Sequence, residues 1–236
     1  MKRLAIIPAR GGSKRIPHKN IKPFCGKPMI AHVLDAAANS NLFETIHVST
    51  DSENIAGVVK DLGHEIDFMR PKELSDDFTP IMPVLKYVHE EYEKTGQSFD
   101  QVWLLMACSP LLEPKDLKKA EDIFNCSDKQ RALLAVSEYP VPVEWAFSMN
   151  KERELTPLQP GMFSKRSQDI ETKYFDAGTF AIFPSSIIFE AEGAGSDKSF
   201  IGYPLPKGTA IDIDTEDDWL LAEAIYHLKN GQKTDE

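Results

Sequence analysis

The sequence predicts an α/β protein with a mostly parallel sheet covered by helices. Three observations carry this. Short apolar runs alternate with helical periods along most of the chain. A glycine-containing basic loop follows the first apolar run directly. A proline-rich stretch, 138–173, interrupts the alternation and then gives way to it again, which marks an inserted arm.

Leu4–Pro8 reads as a buried strand. Ile30, Val33, Leu34 and Ala37 then fall at helical spacing behind Pro28, a residue suited to a first turn. Thr45–Ser49 is the second strand. Ile55, Val58, Val59 and Leu62 repeat the helical spacing, with Asp51 or Ser52 as cap and Gly63 as stop. Ile66–Met69 reads as a short third strand. Val84, Val88 and Tyr92 predict a helix ending near Gly96, and Val102–Met106 a strongly apolar fourth strand. Pro114 opens a helix with Leu117, Ala120 and Phe124 inward, and Leu133–Val136 is the fifth strand. After the arm come strands at Ala177–Phe183 and Ala210–Ile213. A final helix, capped by Thr215 with Asp218, should bury Leu221, Ile225 and Leu228 and fray after Lys229. Alternation of this kind places ligands at the carboxyl ends of the strands.

The chain holds 27 Lys and Arg against 37 Asp and Glu, a net charge of −10. Yet eight of those cations (Lys2, Arg3, Arg10, Lys14, Arg15, Lys19, Lys22, Lys27) precede the first acidic residue, Asp35. The overall acidity argues against a nucleic-acid partner, which needs a broad basic face. No apolar stretch is long enough to span a bilayer, and Leu4–Ala9, broken by Pro8, does not read as a secretory signal. Cys25, Cys108 and Cys126 have no paired spacing and read as reduced thiols, so a cytoplasmic protein is expected.

Four constellations are candidates for chemistry. In residues 9–22, Gly11 and Gly12 allow backbone amides to turn toward a ligand, while Arg10, Lys14 and Lys19 offset phosphate charge. The run lacks the spacings of a Walker loop or a dinucleotide fingerprint. Its plain alternative is a solvated basic turn. In Asp212-Ile213-Asp214-Thr215, carboxylates two apart on an extended strand face one way and suit Mg²⁺. Acids at a helix N-terminus explain Asp214 as well, but not Asp212. Ser49-Thr50-Asp51 ends the second strand and could contact a ligand or cap the next helix. Arg166-Ser167-Gln168-Asp169 and Asp176-Ala177-Gly178-Thr179 flank the return from the arm. Arg166 could grip a carboxylate in bidentate fashion, or the two runs are surface loops.

Ile7-Pro8-Ala9-Arg10-Gly11-Gly12-Ser13-Lys14-Arg15-Ile16-Pro17-His18-Lys19-Asn20 resembles the signature loop of the sialic-acid-type cytidylyltransferases. Val48-Ser49-Thr50-Asp51, Arg70-Pro71 followed by Glu73-Leu74, Ser109-Pro110-Leu111 and Asp212-Ile213-Asp214-Thr215 follow in that family's order. The resemblance covers nearly the whole chain. It implies a Rossmann-like nucleotidyltransferase fold, a cytoplasmic homodimer, CTP, Mg²⁺ and a nine-carbon acidic sugar. It implies a nucleotide site of Ala9, Arg10, Gly11, Gly12, Ser13, Lys14, Lys19, Asn20, Arg70, Asp77 and Thr79, with Asp212 and Asp214 holding metal. Arg10, Lys14 and Asp214 would carry catalysis. Arg166, Gln168, Asp176, Gly178 and Thr179 would serve the sugar. The body would be 1–137 with 174–229, and the arm 138–173 a dimerisation and sugar-site element.

Members acting on N-acetylneuraminate typically carry Gln-Pro-Thr-Ser-Pro and Arg-Pro-Asn-Gly. Here the matching stretches are Met106-Ala107-Cys108-Ser109-Pro110 and Phe175-Asp176-Ala177-Gly178. Asp176-Ala177-Gly178, the preceding Arg166-Ser167-Gln168-Asp169 and the early Phe24-Cys25-Gly26-Lys27-Pro28-Met29-Ile30-Ala31 most resemble the branch acting on pseudaminic acid. The expected reaction joins CMP from CTP to the anomeric hydroxyl of the sugar and releases pyrophosphate. The alternatives are N-acetylneuraminate or an eight-carbon keto-acid sugar as acceptor, or a CTP-binding module without catalysis.

Overall fold

The computed structural model describes residues 1–128, 130–190 and 200–231. The strands are β1 (Arg3–Pro8), β2 (Pro23–Phe24), β3 (Lys27–Pro28), β4 (Thr45–Ser49), β5 (Gln101–Leu105), β6 (Leu133–Glu138), β7 (Phe147–Met149), β8 (Leu155–Pro157), β9 (Tyr174–Pro184) and β10 (Ile201–Pro204). The helices are α1 (Met29–Ser40), α2 (Glu53–Asp61), α3 (Ile81–Lys94), α4 (Pro114–Cys126), α5 (Ser185–Glu190) and α6 (Glu216–Gly231). Among the described residues, six strands form one sheet in the order β10-β6-β9-β5-β1-β4. β1 runs parallel to β4 and β5, and β10 parallel to β6, while β9 is antiparallel to both its neighbours. The sheet is therefore mixed α/β and mostly parallel, as the alternation predicts.

β1 shows why such strands read as unbroken apolar runs. Ala5 and Ile7 join one cluster with Val33, Leu34, Val59, Leu117 and Phe124. Leu4 and Ile6 join the opposite cluster with Leu85, Val88 and Tyr92. Alternate side chains enter two cores, so both phases of the period must be apolar. A third cluster sits off the sheet and holds Ile16, Phe24, Met29, Ile213, Trp219 and Ala222. It joins the basic loop to the last helix.

Four expectations are corrected. Ile66–Met69 is not a strand. Arg70 N–H, just after it, bonds Thr50 O (2.7 Å) past the end of β4, while Phe68 stacks on His47 at 4.4 Å. Side-chain packing holds that segment in place of a ladder. Ala210–Ile213 is not a strand either. The last strand is β10, whose internal Gly202 and Pro204 hid it; it lies at the sheet's edge, where proline is tolerated. In α6 the inward stripe is Trp219, Ala222 and Tyr226, not Leu221, Ile225 and Leu228. Phe24 sets this, with Trp219 at 5.3 Å and Tyr226 at 5.7 Å, and Leu221 and Leu228 stay exposed. The helix also runs on to Gly231; the expected fraying beyond that point falls outside the described residues.

Stretch 139–173 leaves the sheet. It forms short 3-10 turns at Val143–Trp145 and Ser167–Asp169 and the β7–β8 hairpin. Val141, Met149, Leu155, Leu158 and Phe163 are all more than half exposed there.

Candidate active site

β1, β4 and β5 end at one edge, and the segments that follow them surround an open cleft of about 320 Å³. Of the residues expected from sequence, Arg10, Ser13, Lys14, Lys19, Asn20, Arg70, Asp77, Thr79, Gly178 and Asp212 line it. The cleft has five cations in its wall, since Arg15 joins Arg10, Lys14, Lys19 and Arg70. The sequence run had displayed Arg15, but no spacing rule singled it out.

The basic loop and the C-terminal segment meet here. Arg15 pairs with Asp214 Oδ2, and Lys19 Nζ lies 3.2 Å from Asp214 Oδ1 while also donating to Ile213 O. Ile213 is fully buried, so its two acidic neighbours turn outward. The carboxylates thus share a side without being in a paired strand. Partial burial raises the Asp212 carboxyl's pKa first, and the Asp214 charge raises it further. Two hard-oxygen groups that repel each other, beside phosphate-sized space, fit a divalent cation completed by ligand oxygens. Among the described residues no third His, Cys, Asp or Glu joins them to make a protein-only cage.

The loop's cations are neutralised from the opposite wall. Arg10 Nη1 donates to Asp77 Oδ1 (2.7 Å) and to Asp76 O (2.9 Å), and Lys14 pairs with Asp77 Oδ2. Those bonds, from Lys14 and then Arg10, lower the Asp77 pKa. Asp76 builds the turn beneath, accepting from Phe78 N (2.9 Å), Thr79 N (2.6 Å) and Thr79 Oγ1 (2.8 Å). Arg70 is buried against Ser49, with Nε to Ser49 Oγ at 3.0 Å and Nη2 to Ser49 O at 2.6 Å. Burial pulls its pKa down to about 10, which still leaves it charged at neutral pH.

Several of the expected residues are engaged by the protein itself. Gly11 N–H donates to Asp51 Oδ1 (2.9 Å) and so is not aimed at a ligand. Gly11 is required by a close approach: a Cβ there would stand 2.9 Å from Ser52 Cβ, whereas Gly12 faces open space. Asp51 therefore fixes the loop, and Ser52 caps α2 through Ile55 N. Ser49 and Thr50 are fully buried, and Ser49 supports Arg70. Ala9 is buried, with its N–H on Ser49 O (2.9 Å). Arg166 and Gln168 lie on the exposed arm outside the cleft wall. Arg166 spends its fork on Asp169, at 2.9 and 3.0 Å. Asp176 holds Gly178 N–H (2.9 Å), and Thr179 is buried in β9.

Residues 4–151 match the cytidylyltransferase family profile. The chain is 36% identical over 230 residues to the pseudaminic acid cytidylyltransferase of Campylobacter jejuni subsp. jejuni, covering 98% of each. The chain belongs to the cytidylyltransferase family. It is also 32% identical over 234 residues to the CMP-N,N'-diacetyllegionaminic acid synthase of Legionella pneumophila, covering 97% of each. The fold is shared with a CMP:2-keto-3-deoxy-manno-octonic acid synthetase solved with CTP, at a TM-score of 0.71 and 16% identity, over 97% of this chain and all of that one. In this cytidylyltransferase no described helix is long and apolar enough to cross a membrane.

The Gly11–Ser52 approach gives a direct prediction. Gly11→Ala should lower the unfolding free energy by about 1–3 kcal/mol through overpacking. Ser52→Gly in the same chain should recover most of it, since glycine at a cap costs only a few tenths. Urea denaturation of both variants measures this; equal losses would contradict the clash.

Proposed function

We propose that this chain transfers CMP from CTP to the anomeric hydroxyl of a nonulosonic acid, with pseudaminic acid the favoured acceptor, and releases pyrophosphate. The observation that carries the reading is the meeting of Arg15 and Lys19 with Asp214 across the cleft mouth. It supports a site in which cations suited to polyphosphate and carboxylates suited to a metal would serve one ligand. The relatives' acceptors, pseudaminic and diacetyllegionaminic acid, support the sugar class.

The hydroxyl oxygen forms a bond to the α-phosphorus while the bond to the β-phosphate oxygen breaks. Catalysis is then mostly positioning and charge stabilisation. Arg10 and Lys14 give up Asp77 and take the phosphates in its place. Lys19 orients the C-terminal segment through Ile213 O and Asp214. Asp212 and Asp214 would hold Mg²⁺, which supplies Lewis-acid stabilisation of phosphate charge when bound. Arg70, immobilised on Ser49, and Thr79 line the cleft and would meet the nucleoside. Gly178 is the member of the expected sugar set that reaches the cleft.

The reading includes a cytoplasmic homodimer. The support for the dimer is the exposed apolar side chains of the arm, Val141, Met149, Leu155, Leu158 and Phe163, which a second copy would cover. Sedimentation should give twice the chain mass; a monomer at micromolar concentration would exclude this part.

Pyrophosphate release tests the reaction. CTP with pseudaminic acid and Mg²⁺ should give release that N-acetylneuraminate does not match. Omitting Mg²⁺ should abolish it. Asp212→Asn should reduce it by roughly a hundredfold or more, the scale of a lost charge-stabilising group. CTP binding without sugar-dependent release would instead identify a non-catalytic nucleotide module.

A further inference from the structure

We propose that Cys108 is a positioning residue for the nucleotide end of the cleft, acting through Asn20 on the backbone of Arg10. Cys108 follows β5, and its Sγ–H donates to Asn20 Oδ1 at 3.2 Å. Asn20 Nδ2 donates to Arg10 O at 3.1 Å, and Asn20 O accepts from Ile30 N at 2.9 Å. The direction of the chain is fixed by chemistry. Arg10 O can only accept, so the amide nitrogen must face it. The amide oxygen is left for a donor, which Cys108 supplies.

Asn20 is 7% exposed, with both ends of its amide engaged inside the protein. Its Oδ1 would be a buried oxygen lacking a bond to the 108 side chain if that side chain could not donate, and such losses are costly. The Asn20 amide sets the Arg10 carbonyl, and through it the start of the basic loop whose guanidinium meets Asp77. Burial pushes the Cys108 thiol up to about 11, so it remains a donor at neutral pH. The relay thus connects the segment after β5 to the loop after β1.

The inference rests on the proposed nucleotide site, and the test separates the two. CTP with Mg²⁺ is titrated calorimetrically into the wild type, Cys108→Ala, Cys108→Ser and Asn20→Ala, with thermal melts to confirm folding. Cys108→Ala should weaken CTP binding about three- to tenfold, the scale of one hydrogen bond. Cys108→Ser, whose hydroxyl still donates, should bind within twofold of wild type. Cys108→Ala placed on Asn20→Ala should cost nothing more. In turnover, Cys108→Ala should raise the KM for CTP and leave the KM for the sugar within twofold. Wild type failing to bind CTP would sink the nucleotide site itself. Wild-type binding matched by Cys108→Ala, or Cys108→Ser as weak as Cys108→Ala, would overturn the relay alone. A change confined to the sugar KM would make Cys108 a sugar contact and also overturn it.

Discussion

The burial of Ile213 is the constraint on which the site depends. Its side chain is wholly enclosed in a cluster with Ile16, Phe24, Met29, Trp219 and Ala222. Ile16 comes from the basic loop and Ile213 from the far end of the chain, so one apolar cluster brings the two ends of the sequence together. Fully burying such a side chain is worth about 1.5–3 kcal/mol. The ion pairs above it are worth less: Arg15 is 71% exposed, and exposed pairs contribute about 0–1 kcal/mol. Packing therefore places the charges, and the charges do not place the packing. Because Ile213 points inward, its acidic neighbours are left outward: Asp212 lines the cleft, and Asp214 meets Arg15 and Lys19 of its wall.

The cleft's electrostatics follow from this placement. Its cations are matched by carboxylates from two directions, Asp77 on Arg10 and Lys14, and Asp214 on Arg15 and Lys19. These pairs are partly or well exposed, so an incoming polyphosphate competes with weak contacts rather than buried ones. Arg70 differs. It is buried on Ser49, and its position is set before any ligand arrives. A site with one fixed cation and several exchangeable ones suits a highly charged substrate that must bind and whose pyrophosphate must leave.

Much of this was legible in the sequence, and the reasons for the rest are physical. Strands that enter two cores at once, such as β1, announce themselves as continuous apolar runs. Helices with one strong stripe, such as α4, did likewise. Legibility failed where a side-chain contact replaced a repeating pattern. Phe68 stacking on His47 has no period, so 66–69 resembled a strand. In α6, two stripes had the right spacing, and the Phe24 contact with Trp219 and Tyr226 chose between them. At the site, Arg10, Lys14 and the Asp212–Asp214 pair were readable from charge and spacing. Ser52 as the cap of α2 was readable too, but the Asp51 bond to Gly11, the Gly11–Ser52 approach and the Cys108 contact were not, because each joins partners distant in sequence. Arg166 had the right chemistry for a carboxylate, but its own neighbour Asp169 takes it up.

The central claim is that the loop after β1 and the segment before α6 grip one triphosphate. A crystal structure with CTP and Mn²⁺, phased for anomalous scattering from manganese, tests it most directly. The account predicts a manganese peak between Asp212, Asp214 and the phosphates, with Arg10 and Lys14 moved from Asp77 onto the triphosphate. A triphosphate bound elsewhere, or manganese held by other residues while Asp77 keeps both cations, would contradict it.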